Sequence, residues 1–392
     1  MRTSATNPLR SLNFQRLCWA NLLFWTFAFG LIPYLYLHFG GDFLITTGCI
    51  LAFTVGLIIP GPFNAYIVER FSRKAVFLWS SILQGVCALA LLETNLPLVY
   101  IYVLSAVFGV FFESAQNALN NTIVNDLLLS SSRTLGDSLL SWFGRFGLPI
   151  GWLCVLYLPQ LLRQPSWADI LLFIPLCLSI FLVFCTKIPL KAPVKVQLIS
   201  CDRFWRSGGW PLFLMCLVAA GIEGMLLALV LQTPISVTVN DMLFIGAGLL
   251  AAFFVRKTVF VEADDRAEMS VGLLLYLASL LLLVQPLPSM HNAAYALFGA
   301  GCGLTASRLL MYFLKLSGHC QRGTSQNTFM LGWRIGFAIG WSVVAFCYDG
   351  LSAGTLYYAG AGVVVALICI YLALVHPWFN KHKDRDFRFK EV

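Results

Sequence analysis

Charge is what this chain has least of. Only 11% of its 392 residues are Asp, Glu, Lys or Arg, while 59% are hydrophobic and the mean hydropathy is +0.80. Soluble chains average about 25% charged, so a water-soluble globule is excluded and a bilayer protein is implied. No Cys-x-x-Cys occurs among the twelve cysteines, which stand singly and mostly inside apolar runs as small buried hydrophobes. Disulfide frameworks and metal sites need clusters, so neither a cofactor nor a metal is expected. A nucleotide-binding Gly-Lys-Ser/Thr loop is lacking, so any ATP-driven work would need another subunit. The five histidines (His38, His291, His319, His376, His382) are dispersed, and none is expected beside an intramembrane acid. A membrane-embedded acyltransferase or hydrolase, which needs clustered His, Asp, Ser or Cys, is therefore disfavoured. The first fifteen residues show no small-residue cleavage site after a short apolar core, so the first helix is expected to stay in the mature protein.

Long apolar runs fill the rest, at roughly 14–38, 42–66, 75–94, 97–122, 137–160, 166–186, 210–232, 235–255, 269–286, 291–314, 326–348 and 354–376. Each can supply the ~20 residues that a helix needs to cross ~30 Å of hydrocarbon. An all-α polytopic membrane protein of twelve transmembrane helices is expected. All but four of the 26 basic residues fall on one side of that arrangement. Only Arg163 falls in a loop on the other side, where Asp42, Glu93, Asp169, Asp241 and Asp349 collect. The positive-inside rule makes the basic side the cytoplasm, with both termini inside a plasma (inner) membrane. The same loops account for the net charge of +8, so no nucleic-acid partner is expected. The C-terminal stretch His382 to Lys390 is read as lying along the anionic leaflet, each basic residue contributing ~1 kcal/mol.

The segment Arg133 to Trp152 returns, 189 positions later, as Arg322 to Trp341, with six of twenty aligned positions identical. Its dense part reads Arg-x-Gly-x-x-Ile-Gly-Trp in both copies, beginning at Arg145 and Arg334. Glu69-Arg70 and Asp265-Arg266 form a second pair, 196 apart. Recurrence of this kind implies two homologous halves. Six helices per half bring both copies into the membrane the same way round, as parallel repeats. The expected units are an N-terminal bundle (1–186), a basic, Pro-containing linker (187–209) and a C-terminal bundle with a basic tail (210–392).

Between the second and third runs stands Asn64-Ala65-Tyr66-Ile67-Val68-Glu69-Arg70-Phe71-Ser72-Arg73-Lys74. It resembles the signature loop of the major facilitator superfamily, Gly-x-x-x-Asp-Arg-x-Gly-Arg-Arg, with Glu69 at the acidic position and Arg70, Arg73 and Lys74 at the basic ones. Both glycine positions depart, Ser72 standing at the second. The run Glu262-Ala263-Asp264-Asp265-Arg266 echoes it in the second half. Gly144 to Gly151 is similar to the Gly/Pro-rich fifth helix of proton-coupled exporters in that superfamily, and His319 to Thr324 to the loop of bacterial drug-exporter-like members. The resemblance implies a monomeric secondary transporter for a small molecule. Its loop acids and cations (Glu69, Arg70, Arg73, Lys74, Asp265, Arg266) would lock the two halves in one conformation, and its helices 1, 4, 7 and 10 would line a central cavity.

Five charges are read as lying inside the membrane: Glu113, Arg145, Glu223, Arg308 and Arg334. Each costs ~2.5–3.5 kcal/mol or more facing lipid, so each should turn inward to a partner or water. Glu223, near the bilayer midplane, is the first candidate to carry a coupling proton, with Glu113 either an auxiliary or a structural acid paired to a neighbour such as Arg145. Arg308, in contact with a substrate anion or in an ion pair, is expected in the cavity with Asn21, Trp25, Gln116, Asn117 and Asn120. Arg145 and Arg334, ~12 Å from the basic end by 1.5 Å per residue, are expected to be architectural. The favoured function is proton-coupled efflux of an amphipathic organic compound. Proton-coupled uptake is the alternative, and a non-transporting receptor or scaffold is the alternative of another class.

Overall fold

The structure, a computed structural model, describes residues 8–93, 96–129, 132–163, 167–188, 196–260, 264–285, 287–318, 321–348 and 350–383. Lys191, Lys195, Glu262, Ala263, His319, Cys320, Asp349 and the tail beyond Lys383 lie outside the described residues. All regular elements among the described residues are helical, and twelve helices are long and apolar enough to cross a membrane. They are α1 (Leu12–His38), α2 (Phe43–Ile58, carried on by Asn64–Arg70), α3 (Arg73–Leu91), α4 (Leu98–Ala118), α5 (Arg133–Leu156) and α6 (Trp167–Phe184) in the first half. The second half has α7 (Trp210–Leu231), α8 (Ile235–Thr258), α9 (Asp265–Leu283), α10 (Pro288–Lys315), α11 (Arg322–Cys347) and α12 (Ala353–Ile370). Successive helices reverse direction, so one end of the bundle, the basic end, gathers the starts of the odd helices.

Several helices begin about a turn before their apolar run does, at Arg133, Asp265 and Arg322. Hydropathy marks only the stretch that meets hydrocarbon, whereas a charged first turn remains helical in the headgroup layer. Arg145 and Arg334, each twelve residues from its helix start, therefore sit ~18 Å along the helix rather than ~12 Å. At its basic end α4 passes through a π turn, Leu119–Ile123, into a last helical turn, Val124–Leu127.

The two halves use the same pairings: α1 on α5 as α7 on α11, α2 on α4 as α8 on α10, and α3 on α4 as α9 on α10. The repeated sequence has a spatial reason. A Cβ on Gly151 would lie 2.3 Å from the Thr26 carbonyl oxygen of α1, and one on Gly340 would lie 1.8 Å from the Gly221 carbonyl oxygen of α7. Only glycine lets two helix backbones approach so closely. Next to these glycines, Ile150 and Ile339 are exposed on the outer surface, and Trp152 and Trp341 are fully buried. Gly340→Ala is expected to destabilise the protein towards the upper end of the ~1–3 kcal/mol typical of overpacking, because the obstacle is backbone and cannot rotate away. Ile339→Val, at an exposed site, is the control. A Gly340→Ala variant as monodisperse and heat-stable as the control would show that the α7–α11 contact tolerates a methyl group.

The halves meet along α2 with α11 and along α5 with α8. At the first seam Phe43 stacks on Trp341 with ring centroids 5.6 Å apart, and Trp341 Nε1 donates to Thr47 Oγ1 at 3.1 Å. At the second, Trp142 meets Phe253 edge-on at 5.5 Å. These three contacts are all between side chains.

Candidate functional site

Between the halves lies a cavity enclosing about 1350 Å³ of atom-free space, its mouth included. Its wall is mostly aromatic and aliphatic, with Asn21, Trp25, Arg145, Glu223, Cys302 and Arg334 as its main polar features. That is the composition of a site for an organic molecule with an apolar body.

Glu223 lies midway along α7 and is 5% exposed. Tyr276 of α9 donates its hydroxyl hydrogen to Oε1 at 2.7 Å, and Trp333 of α11 donates from Nε1 to Oε2 at 2.8 Å. Arg145 and the Cys302 thiol also face this carboxylate. Glu113, in the last turns of α4, is bonded instead by Arg334 Nη1 of α11. The pair crosses from one half to the other, so the expected partner from α5 is not the one found. Arg334 also lies over the rings of Trp25 and Phe112, at 5.4 and 5.0 Å. Arg145 lies 5.5 Å from the Trp142 ring, and its Nη1 has no hydrogen-bond acceptor among the described residues. The repeat places the two arginines alike, yet one is tied to a carboxylate and the other is not.

Asn21 and Trp25 are in the cavity wall, but Gln116, Asn117 and Asn120 are not. These three are buried behind it, in a chain in which Asn120 donates to Gln116 at 2.5 Å and Asn21 donates to the Leu140 carbonyl of α5 at 2.8 Å. Arg308 is a correction. It does not line the cavity but is bonded by Asp265 and Glu268 of α9. Its place two turns from the basic end of α10 brings it level with the acidic first turn of α9, a turn that apolarity alone left outside the helix.

The signature-loop residues form a second polar centre at the basic end. Glu69 accepts from Arg73 at 2.9 Å and also pairs with Arg203, while Arg73 also pairs with Asp126 beyond the π turn of α4. Lys74 donates to the Phe184 and Thr186 carbonyls at 2.5 and 3.0 Å, and Arg70 is exposed. Arg203 follows α6 and precedes α7, and its own backbone is held by the second half: its N–H donates to Thr324 Oγ1 at 2.9 Å, and its carbonyl accepts from Asn327 at 3.1 Å. The segment thus ties Glu69 of the first half to α11 of the second. In the second half Asp265 pairs with Arg308 and with Lys315 at 2.6 Å, while Arg266 is exposed. Arg256 of α8 reaches Glu268 at 3.1 Å and donates to Ser138 of α5 at 2.7 Å, a second tie across the seam.

One histidine does stand beside a buried acid, contrary to expectation: His291 Nε2 lies 3.0 Å from Asp241 Oδ1. Asp241 is fully buried two turns into α8 rather than in a loop. Sequence reasoning also passed over Tyr276, Trp333 and Cys302, whose only signal was that they are polar or polarisable positions on apolar helices.

No family model matches this chain, and no curated protein does. Solved structures do. The human organic anion transporter MFSD10 (TETRAN) is similar with a TM-score of 0.70 and 15% identity, over 91% of this chain and 99% of that one. The nucleoside transporter NupG is similar with a TM-score of 0.65 and 13% identity, over 92% and 98%. The major facilitator superfamily transporter FucP in its outward conformation gives 0.64 and 15%, over 92% and 97%. With twelve membrane-length helices paired alike in two repeats around one cavity, this chain has the fold of the major facilitator transporters.

Proposed function

We propose that this chain is a secondary active transporter that moves a small amphipathic organic compound by alternating access, with the basic end in the cytoplasm and a proton on Glu223 as the coupling ion. The observation that carries this reading is a mid-helix carboxylate in the cavity wall, held by Tyr276 and Trp333 with no guanidinium bonded to it among the described residues. Such a group can take up or lose a proton without breaking an ion pair, whereas Glu113 is committed to Arg334. Export by exchange is the direction suggested by the resemblance of Gly144 to Gly151 to exporter sequences. Uptake together with a proton is favoured by one observation, that Arg145 faces Glu223 without being bonded to it. Protonating Glu223 uncovers that cation, so a proton prepares the cavity for a ligand instead of expelling one.

The test is transport into liposomes holding the purified protein, with pH gradients of either sign. A compound that binds, yet neither accumulates, leaves nor exchanges under any gradient, would favour a receptor or scaffold. The switch at the basic end gives a second expectation. Arg203→Ala should slow turnover and leave ligand affinity unchanged, because the Arg203 side chain bridges the halves through Glu69 and is not part of the cavity wall. Lost affinity with normal turnover would remove it from the switch.

A further inference from the structure

The donors and acceptors of the cavity wall do not balance. Arg145 Nη1, Arg334 Nε, Arg334 Nη2 and Trp25 Nε1 are buried there with no acceptor among the described residues. The carboxylate and amide oxygens, by contrast, already have partners. The two oxygens of Glu223 bind Tyr276 and Trp333, Glu113 binds Arg334, and Asn21 Oδ1 accepts from Gln116 at 3.4 Å. No residue lining the cavity contributes a buried acceptor without a partner, among the described residues. The unpartnered buried atoms of the wall are thus all donors, and they fit a ligand group that brings acceptors. An organic cation would meet two guanidinium groups, whereas an anion would find donors without partners.

From this surplus we infer that the cavity takes an amphipathic organic carboxylate, its anionic head on Arg145 and Arg334 and its apolar body against the aromatic wall. A carboxylate has the planar, two-oxygen face that a guanidinium fork matches. The two arginines come from α5 and α11, one from each half, so the head bridges the halves. Beside Arg334 the rings of Trp25 and Phe29 stack at 5.1 Å and supply a flat apolar surface. Charge then links the ligand to a proton. Glu113, Glu223, Arg145 and Arg334 sum to zero, and a bound carboxylate adds one negative charge. Glu223 is the acid free to neutralise it, and the groups that face Glu223 are Arg145 from α5, Tyr276 from α9, Cys302 from α10, Cys216 from its own helix and the Trp333 indole from α11.

The inference rests on the transport reading for movement of the ligand, but its binding can be tested alone. Indole-3-acetate and 4-phenylbutyrate, with their neutral amides and the matching amines, are titrated into purified protein in detergent at pH 5.5 and 7.5, with thermal stability and tryptophan fluorescence as readouts. The carboxylates are expected to bind and stabilise, more tightly at the lower pH, and the amides and amines are not. Arg145→Gln should weaken carboxylate binding by ~30-fold or more, as loss of one partner of a buried charged contact does, and Arg145→Lys should recover part of it. Glu223→Gln should bind carboxylates equally at both pH values. The inference is overturned if no carboxylate binds, if amides or amines bind as well as acids, or if Arg145→Gln leaves affinity unchanged in a protein that retains wild-type thermal stability. Carboxylates that bind with this pattern but never cross liposomes would sink the transport reading and leave this one standing.

Discussion

Glu223→Gln in liposomes is expected to lose all accumulation driven by a pH gradient while still binding ligand and exchanging it across the membrane. The amide has nearly the shape of a protonated carboxyl and can still accept from Tyr276 or Trp333, so the wall of the cavity should survive. What it cannot do is release a proton on one side and take one up on the other. Exchange of bound ligand needs no proton cycle and should continue, whereas net concentration against a gradient needs one per turnover. Accumulation at the wild-type level in the variant would show that the coupling proton sits elsewhere, with the His291–Asp241 pair next in line.

Arg334→Leu is expected to be far more damaging to folding than Arg145→Leu, although the repeat aligns the two residues. Removing Arg334 leaves Glu113, 2% exposed, as an uncompensated buried charge, which typically costs ~3–5 kcal/mol. Removing Arg145 breaks no hydrogen-bonded ion pair among the described residues, so it should spare stability and damage binding. Glu113→Gln placed on top of Arg334→Leu should restore much of the lost stability, since the stranded charge is gone. Thermal unfolding of the three variants in detergent decides the point. Equal losses for the two single variants, or no recovery in the double one, would show that the Arg334–Glu113 contact carries little energy.

The helix count and the repeat were legible because both are written in long-range patterns, runs of apolar residues and Gly-x-x-Ile-Gly-Trp at a fixed offset. The glycines could be assigned to close packing, but not their partners, since Thr26 and Gly221 offer only a carbonyl that any residue could supply. Pairing of charges was the least legible part. Arg308 and Glu268 meet because the first turn of α9 is helical, and a hydropathy window ends before that turn. Arg334 and Glu113 meet because α4 and α11 face each other across the halves, a relation between segments 221 positions apart that no local pattern encodes. Arg203, in a stretch read only as a linker, ties Glu69 to α11 through its side chain and backbone together.

Two carboxylates and two guanidiniums face one another within the bundle, and their sum has an electrical meaning. A single charge carried across a membrane exchanges ~2.3 kcal/mol with each 100 mV of potential. Ionised as four, the groups cancel, so the empty protein can reorient without moving net charge through the field. With one carboxylate and one proton aboard the sum is still zero. Both legs of such a cycle would run at the same rate in a polarised and a depolarised membrane, leaving the proton concentration difference as the sole driving force.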